Sequence, residues 1–321
     1  MIEAIPRIDV SRIREAQERI SGLAIRTPLV PLNAAVGSGQ VYLKLENLQP
    51  IGSFKLRGAL NAMLQIPRDE LEDGVYTASA GNMAQGVAWA AKRLEVPCKV
   101  IVPEGAPQTK LDAVARMGGT CVPLPFADWW QVLVDHGHPD FEGRFVHPVS
   151  DPPVIAGNGT AGLEIIDELP DADVIVVPYG GGGLSCGIAS AVKGSGWKGR
   201  VYGAEAETAT PLSTSLEAGG PTVVSHTPSF VDGIGSGGML PEMWDLAHSV
   251  LDGAIVSSLE NIADAMRLMA ERNRVIAEGA GAAPLGAVLS GQVEGETIVC
   301  VVSGGNVDTS VLTTILTGRL P

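Results

Sequence analysis

Short β-branched runs recur along this chain, each passing through small residues into a stretch with helical spacing, and this alternation constrains the fold more than any other feature. "VYLKL" (41–45), "VYTAS" (75–79), "CKVIV" (98–102), "DVIVV" (173–177), "RVYGAE" (200–205) and "TIVCVV" (297–302) have the length and residue types of strands. Several are apolar throughout, as strands are when both faces of a mostly parallel sheet are covered by helices. Between them, residues 81–95, 107–118 and 157–169 carry helical spacing, and residues 9–21 form an amphipathic helix through Val10, Ile13, Ala16 and Ile20. Residues 257–271 combine a capping box, Ser257 with Glu260, and a stripe of Leu259, Ile262, Met266 and Met269. The class expected is α/β.

At 321 residues the chain exceeds what one core usually organises, so two domains are expected, with the proline-rich segment 139–154 as the boundary. A formal charge of −14 without any lysine or arginine run disfavours nucleic acid and anionic membrane as partners. Four cysteines, none in CxxC spacing, fit reduced thiols rather than a disulfide framework. No signal-peptide pattern opens the sequence and no apolar run is long enough to span a bilayer, so a cytoplasmic protein is expected.

Three strand ends carry candidate chemistry. In "VVPYGGGGLSCG" (176–187), Gly180 to Gly183 let backbone N–H groups converge at the start of a helix, which makes a phosphate cradle. The spacing fits neither GxGxxG nor a loop ending in GKS or GKT, which weakens the dinucleotide and nucleoside-triphosphate readings. "ASAGNMAQG" (78–86) sets Ser79, Gly81 and Asn82 at a helix mouth, where free N–H groups can hold a carboxylate or simply be capped. "VVSGGNVD" (301–308) repeats the pattern, and strand ends of this kind gather around one crevice in open α/β sheets. The five histidines lie outside all three, so Ser-His-Asp hydrolysis and two-histidine metal chemistry have no footing. A lysine acting with a phosphate-bearing cofactor fits what remains, and "GSFKLRG" (52–58) offers Lys55, which read alone could equally be a surface cation.

Taken in order, "GSFKLRGA", "SAGNMAQG", "PYGGGGLSCG" and "VVSGGNVD", with "RTPLVPL" (26–32) and "EGAGAAPLGA" (278–287), resemble the fold-type II pyridoxal phosphate enzymes, and among them the serine/threonine dehydratase and serine racemase family. The resemblance implies two domains, each a mostly parallel twisted sheet flanked by helices, with the cofactor in the cleft between them. Residues 1–65 and 151–321 would form the large cofactor-binding domain and residues 66–150 a small mobile one. Lys55 would form the Schiff base with pyridoxal 5'-phosphate and later carry the Cα proton. Phe54 would pack on the pyridine ring and Asn82 bond its 3'-oxygen. Gly180, Gly181, Gly182, Gly183 and Leu184 would hold the phosphate, and Ser303 would meet the ring nitrogen, with Gly233 and Glu278 nearby. Ser79, Ala80, Gly81, Asn82 and Met83 would bind the substrate carboxylate. The implied reaction is loss of water, then ammonia, from a β-hydroxy-α-amino acid in a homodimeric enzyme. A β-replacement synthase and a non-catalytic binder of phosphorylated ligands are the rival readings.

The sequence departs from that family at several points. Ala80 stands where racemases carry a serine, so racemisation is expected to be minor at most. Met83 stands where histidine is common and makes the wall more apolar. A cation site in relatives corresponds to Glu205, Ala209 and Pro211, and proline has no side-chain oxygen to offer, which leaves cation binding doubtful. The adjacent Trp129 and Trp130 read first as packing or an inter-domain surface; together with Met83 they leave room for a substrate bulkier than threonine, such as a phenylserine.

Overall fold

A computed structural model describes residues 3–37 and 39–321. The first part of the chain forms α1 (Val10–Arg19), β1 (Leu29–Pro31), β2 (Gln40–Leu45) and α2 (Lys55–Met63). There follow β3 (Val75–Ala78), α3 (Asn82–Leu94), β4 (Cys98–Pro103), α4 (Gln108–Met117), β5 (Thr120–Leu124), α5 (Phe126–Val134) and β6 (Arg144–Phe145). The rest comprises α6 (Pro152–Glu168), β7 (Val174–Pro178), α7 (Gly183–Gly194), β8 (Arg200–Ala206), α8 (Pro211–Ala218), α9 (Trp244–Val250), β9 (Gly253–Ser257), α10 (Leu259–Leu268), α11 (Gly279–Leu289), β10 (Thr297–Val302) and α12 (Thr309–Leu316).

The strands make two sheets. One has six strands in the order β1-β2-β10-β7-β8-β9, parallel except for the β1–β2 edge pair, and the other has four in the order β5-β4-β3-β6, all parallel. The central strands β7 and β10 are buried nearly throughout, as expected where helices cover both faces. One core joins α1, α6, α7 and α9 to one face of the larger sheet; a second joins α10 and α11 to the other. A third core gathers α2 and α3 over the smaller sheet.

All six strands expected from the sequence form. β1, β5, β6 and β9 were not anticipated, and each is an edge strand of two to five residues. Pro31 and Pro123 sit in two of them, and proline is tolerated in a sheet at an edge because no ladder bond is lost there. The helix expected from residue 157 starts at Pro152, because the first turn needs no N–H donors and accepts Pro152 and Pro153 without loss. The cap expected at Ser257 falls on Ser258, whose hydroxyl accepts from the Asn261 N–H at 3.2 Å. Ser257 is held in the ladder opposite Ala206 and is not free to cap.

Lys55 is presented by a turn laced onto the end of β10. The Phe54 N–H donates to the Ser303 carbonyl at 2.9 Å, the Gly305 N–H donates to the Gly52 carbonyl at 2.9 Å, and Asn306 Nδ2 donates to the Ile51 carbonyl at 2.9 Å. Gly52 has φ +73°, and a Cβ there would lie 2.7 Å from Asn306 Oδ1, so only glycine closes the turn. Behind it, α2 lies against both α3 and α6, and a Cβ at Gly157 would reach within 2.4 Å of the Arg57 carbonyl.

Arg57 anchors α2 from below. Its guanidinium donates to Glu46 at 2.7 and 2.8 Å, to Glu164 at 2.7 and 2.8 Å and to Thr160 Oγ1 at 3.0 Å. Lys44 completes the cluster, donating to the Thr27 carbonyl at 2.6 Å and pairing with Glu164 at 2.7 Å. All four charged groups are buried, and two acids balance two bases.

Candidate active site

A cavity of about 350 Å³ lies where the carboxyl ends of both sheets face each other. It is lined by every residue expected around cofactor and substrate: Phe54, Lys55, Ser79 to Met83, Gly180 to Leu184, Gly233, Glu278 and Ser303. The expected cation positions lie apart from it. Glu205 accepts the N–H groups of Leu212 and Ser213 at 2.6 and 2.9 Å, so its carboxylate caps α8, whose first residue is Pro211. Ala209 forms a tight turn with Ala206, and among the described residues no group of three or more His, Cys, Asp or Glu is placed to hold a metal ion.

Lys55 is half-buried at the cavity wall, and its amine donates to the Pro148 carbonyl at 2.7 Å. Burial pushes its pKa down to about 8, against the opposing pull of the Glu278 carboxylate. A group with that pKa is roughly a quarter neutral at pH 7.5, compared with roughly a thousandth of an ordinary lysine. Glu278 moves the other way: burial, reinforced by Asp232, raises it to about 7. Asn82 Nδ2 donates to Glu278 Oε1 at 2.8 Å, and Asn306 Nδ2 donates to Asn82 Oδ1 at 2.7 Å, so the start of α3 is tied to the far end of β10.

The glycine run is shaped by what lies against it. A Cβ at Gly181 would stand 2.6 and 2.7 Å from the two methyl groups of Val149, and one at Gly183 would stand 2.9 Å from the Val149 carbonyl. Gly182 has φ +91° at the cap of α7. The glycine run therefore lines the cavity at the N-terminus of α7, where the N–H groups of a first helical turn suit a phosphate dianion. Beside it, a poised lysine and a carboxamide at a helix mouth are the groups a phosphorylated aldehyde requires, so the residues present fit pyridoxal phosphate. Gly181→Ala is expected to weaken cofactor retention at least about tenfold, because the methyl must displace Val149 or the loop. Equilibrium dialysis of the holoprotein, read by absorbance, would check it.

Several residues of the site carried no signal in the sequence. His147, set aside with the other histidines, shapes the turn that receives Lys55: its Nδ1 accepts from the Val149 and Ser150 N–H groups at 3.1 and 2.8 Å. Its Nε2 lies 3.2 Å from the Leu133 carbonyl, which fixes the proton on Nε2, and burial holds its pKa down at about 3. Lys110, Asp232 and Asn306 also line the cavity, and Lys110 on α4 pairs with Asp232 at 2.5 Å across its mouth. Only Asn306 could have been suspected, since it ends the third strand-to-small-residue motif. Trp129 does more than pack: it lies against a small core under the second sheet and also lines the cavity, together with Phe126.

Comparison with known proteins agrees with this geometry. Residues 20–304 match the family model described as pyridoxal-phosphate dependent enzyme. The L-threonine ammonia-lyase of Thermotoga maritima is 37% identical, the alignment covering 96% of this chain and 78% of that one. The catabolic L-threonine dehydratase of Escherichia coli is 35% identical, with 94% of each covered. Among solved structures, maize serine racemase superposes with a TM-score of 0.89 at 31% identity, covering 98% of both chains. The processed form of threonine deaminase isoform 2 from Solanum lycopersicum superposes with a TM-score of 0.84 at 31% identity, covering 99% of this chain and 96% of that one.

Proposed function

The chain belongs to the pyridoxal-phosphate dependent enzyme family, and we propose that within it the protein is a dehydratase that converts a β-hydroxy-α-amino acid into a 2-oxo acid and ammonia. The observation that carries this reading is a desolvated lysine, its pKa brought down to about 8, in one cavity with a glycine phosphate loop and a helix mouth. Bound pyridoxal phosphate supplies an electron sink that acidifies the substrate Cα–H. The protein's own groups do the rest. The N–H groups of Gly180 to Leu184 would hold the phosphate, Phe54 and Asn82 would set the ring, and Ser303 would offer its nitrogen a neutral partner rather than a carboxylate. Ser79 to Met83, at the start of α3, hold the substrate carboxylate against free helix N–H groups. Lys55 Nζ takes the proton from Cα and delivers it to the hydroxyl on Cβ, which leaves with the Cβ–O electron pair as water. The enamine so released takes up water and loses ammonia.

Ala80 places a methyl group at the cavity wall, where no proton can be taken or given, which supports elimination over racemisation. Residues 66–150 act as a small domain that closes over residues 1–65 and 151–321. That division is supported by the polar ties across the cavity, Lys110 to Asp232 and Asn82 to Glu278, which are few enough to break and reform. The active species is a homodimer, as the family resemblance implies, and it works in a reducing cytoplasm, a setting supported by four free cysteines, three of them buried. Among the described residues no helix is long and apolar enough to cross a membrane.

Ammonia release from serine, threonine, 3-hydroxyaspartate and phenylserine, each supplied alone, tests the reading. Turnover without an added thiol is the expected result, and inactivity on all four would sink it. The pH dependence of cofactor attachment gives a second check. Since only the neutral amine attacks, the attachment rate of the apoprotein should rise about tenfold per pH unit and level off near pH 8, not near the ordinary lysine value of 10.5. In Glu278→Gln the inflection should move lower, because the carboxylate that favours the ammonium form has gone.

A further inference from the structure

Part of the cavity wall is aromatic in a chain that has few aromatic residues. Only five phenylalanines and five tryptophans occur in 321 residues, yet Phe126, Trp129 and Trp130 fall within the first five residues of α5. Phe126 and Trp129 stand with ring centroids 5.5 Å apart and 39° between planes, and both line the cavity. Phe126 is 66% exposed, so folding gains little from its ring, and a contiguous apolar surface left open at a cavity mouth marks a binding surface.

The surrounding groups narrow the choice. Ala80, Met83 and Pro103 continue the wall with apolar surface. Among the described residues the lining has two cations, Lys55 and Lys110, and Lys110 is engaged by Asp232. An acidic substrate side chain would have to displace that carboxylate while facing it, so 3-hydroxyaspartate is disfavoured. Building on the dehydratase reading, we propose that the enzyme is selective for β-hydroxy-α-amino acids bearing a flat apolar ring on Cβ, with Phe126 and Trp129 forming the surface on which that ring packs. Aromatic pairs in offset or tilted arrangements supply selectivity that aliphatic groups do not.

The test compares kcat/KM of the holoenzyme for threo-3-phenylserine and for threonine. Phenylserine is expected to be favoured at least about tenfold, the discrimination a hydrophobic pocket can deliver. Phe126→Ala and Trp129→Ala are each expected to lower the phenylserine-to-threonine ratio about tenfold. Trp129 also contributes to a core, so Phe126→Ala, which removes a largely exposed ring, is the arbiter if Trp129→Ala does not fold. Binding supplies a readout independent of turnover: L-phenylalanine should quench tryptophan fluorescence more strongly than L-2-aminobutyrate, and Trp129→Phe should remove the difference. Threonine turned over faster than phenylserine, or a ratio unmoved by Phe126→Ala, would overturn the proposal while the dehydratase reading stood. A change from dimer to monomer on Phe126→Ala, by light scattering, would also overturn it by assigning the patch to subunit contact. Inactivity on both substrates would overturn the proposal, and inactivity on serine and 3-hydroxyaspartate as well would remove the dehydratase reading beneath it.

Discussion

Lys55→Ala is expected to lose at least about 10³-fold in kcat and to lose covalent cofactor attachment, while the protein stays folded. The expectation rests on the placement of the amine. It combines a pKa brought down to about 8 with a position 2.7 Å from a wall carbonyl that can release it to a ligand. Folding should survive because a desolvated amine with a lowered pKa contributes nothing that an alanine at the first position of α2 would miss. Borohydride reduction followed by peptide mass spectrometry would locate the cofactor on the Lys55 peptide of the parent protein and on none in the variant. Retention of the adduct in Lys55→Ala would move the covalent site elsewhere.

Arg57→Ala is expected to cost about 3–5 kcal/mol of stability. The reason is what it leaves behind. Glu46 and Glu164 are both buried, and without the guanidinium only Lys44 remains to balance them. For a chain of this size that loss corresponds to about 4–7 °C in Tm. Arg57→Lys should recover only part of it, because an ammonium cannot donate to two carboxylates in the forked geometry seen here. Replacing Lys44, Glu46, Arg57 and Glu164 together by apolar residues of similar volume should cost less than Arg57→Ala alone. Thermal melts of the three variants would decide, and a loss below about 1 kcal/mol for Arg57→Ala would show that water reaches the cluster. Since α2 carries both Arg57 and Lys55, any variant that remains folded should also show a lowered kcat.

What the chain shows locally could be read without coordinates. The apolar runs that become β2, β3, β4, β7, β8 and β10 are recognisable because a strand buried on both faces needs a continuous apolar segment, and each such segment is contiguous in sequence. The glycine run at 180–183 was equally legible, since a backbone that must approach Val149 and Ile234 closely allows no side chain, and that requirement is written residue by residue. Edge strands such as β6, two residues long, were not legible, because pairing with β3 rather than composition makes them strands.

The sequence by itself therefore determined the fold class and marked Lys55, the glycine loop at 180–183 and the two asparagine-bearing turns as separate candidate parts. Tertiary structure decided how they meet. It laid the Phe54 turn on Ser303, put the Pro148 carbonyl beside Lys55 through the bonds of His147, closed Lys110 onto Asp232, and turned Phe126 and Trp129 toward the cavity. The pairings of Lys55 with Pro148, Lys110 with Asp232 and Phe54 with Ser303 join residues about 90 to 250 positions apart, and no local pattern encodes them. They follow from the packing of two sheets around α2 and α6, where a lysine's neighbours, and hence its pKa, are set by which elements the cores bring together.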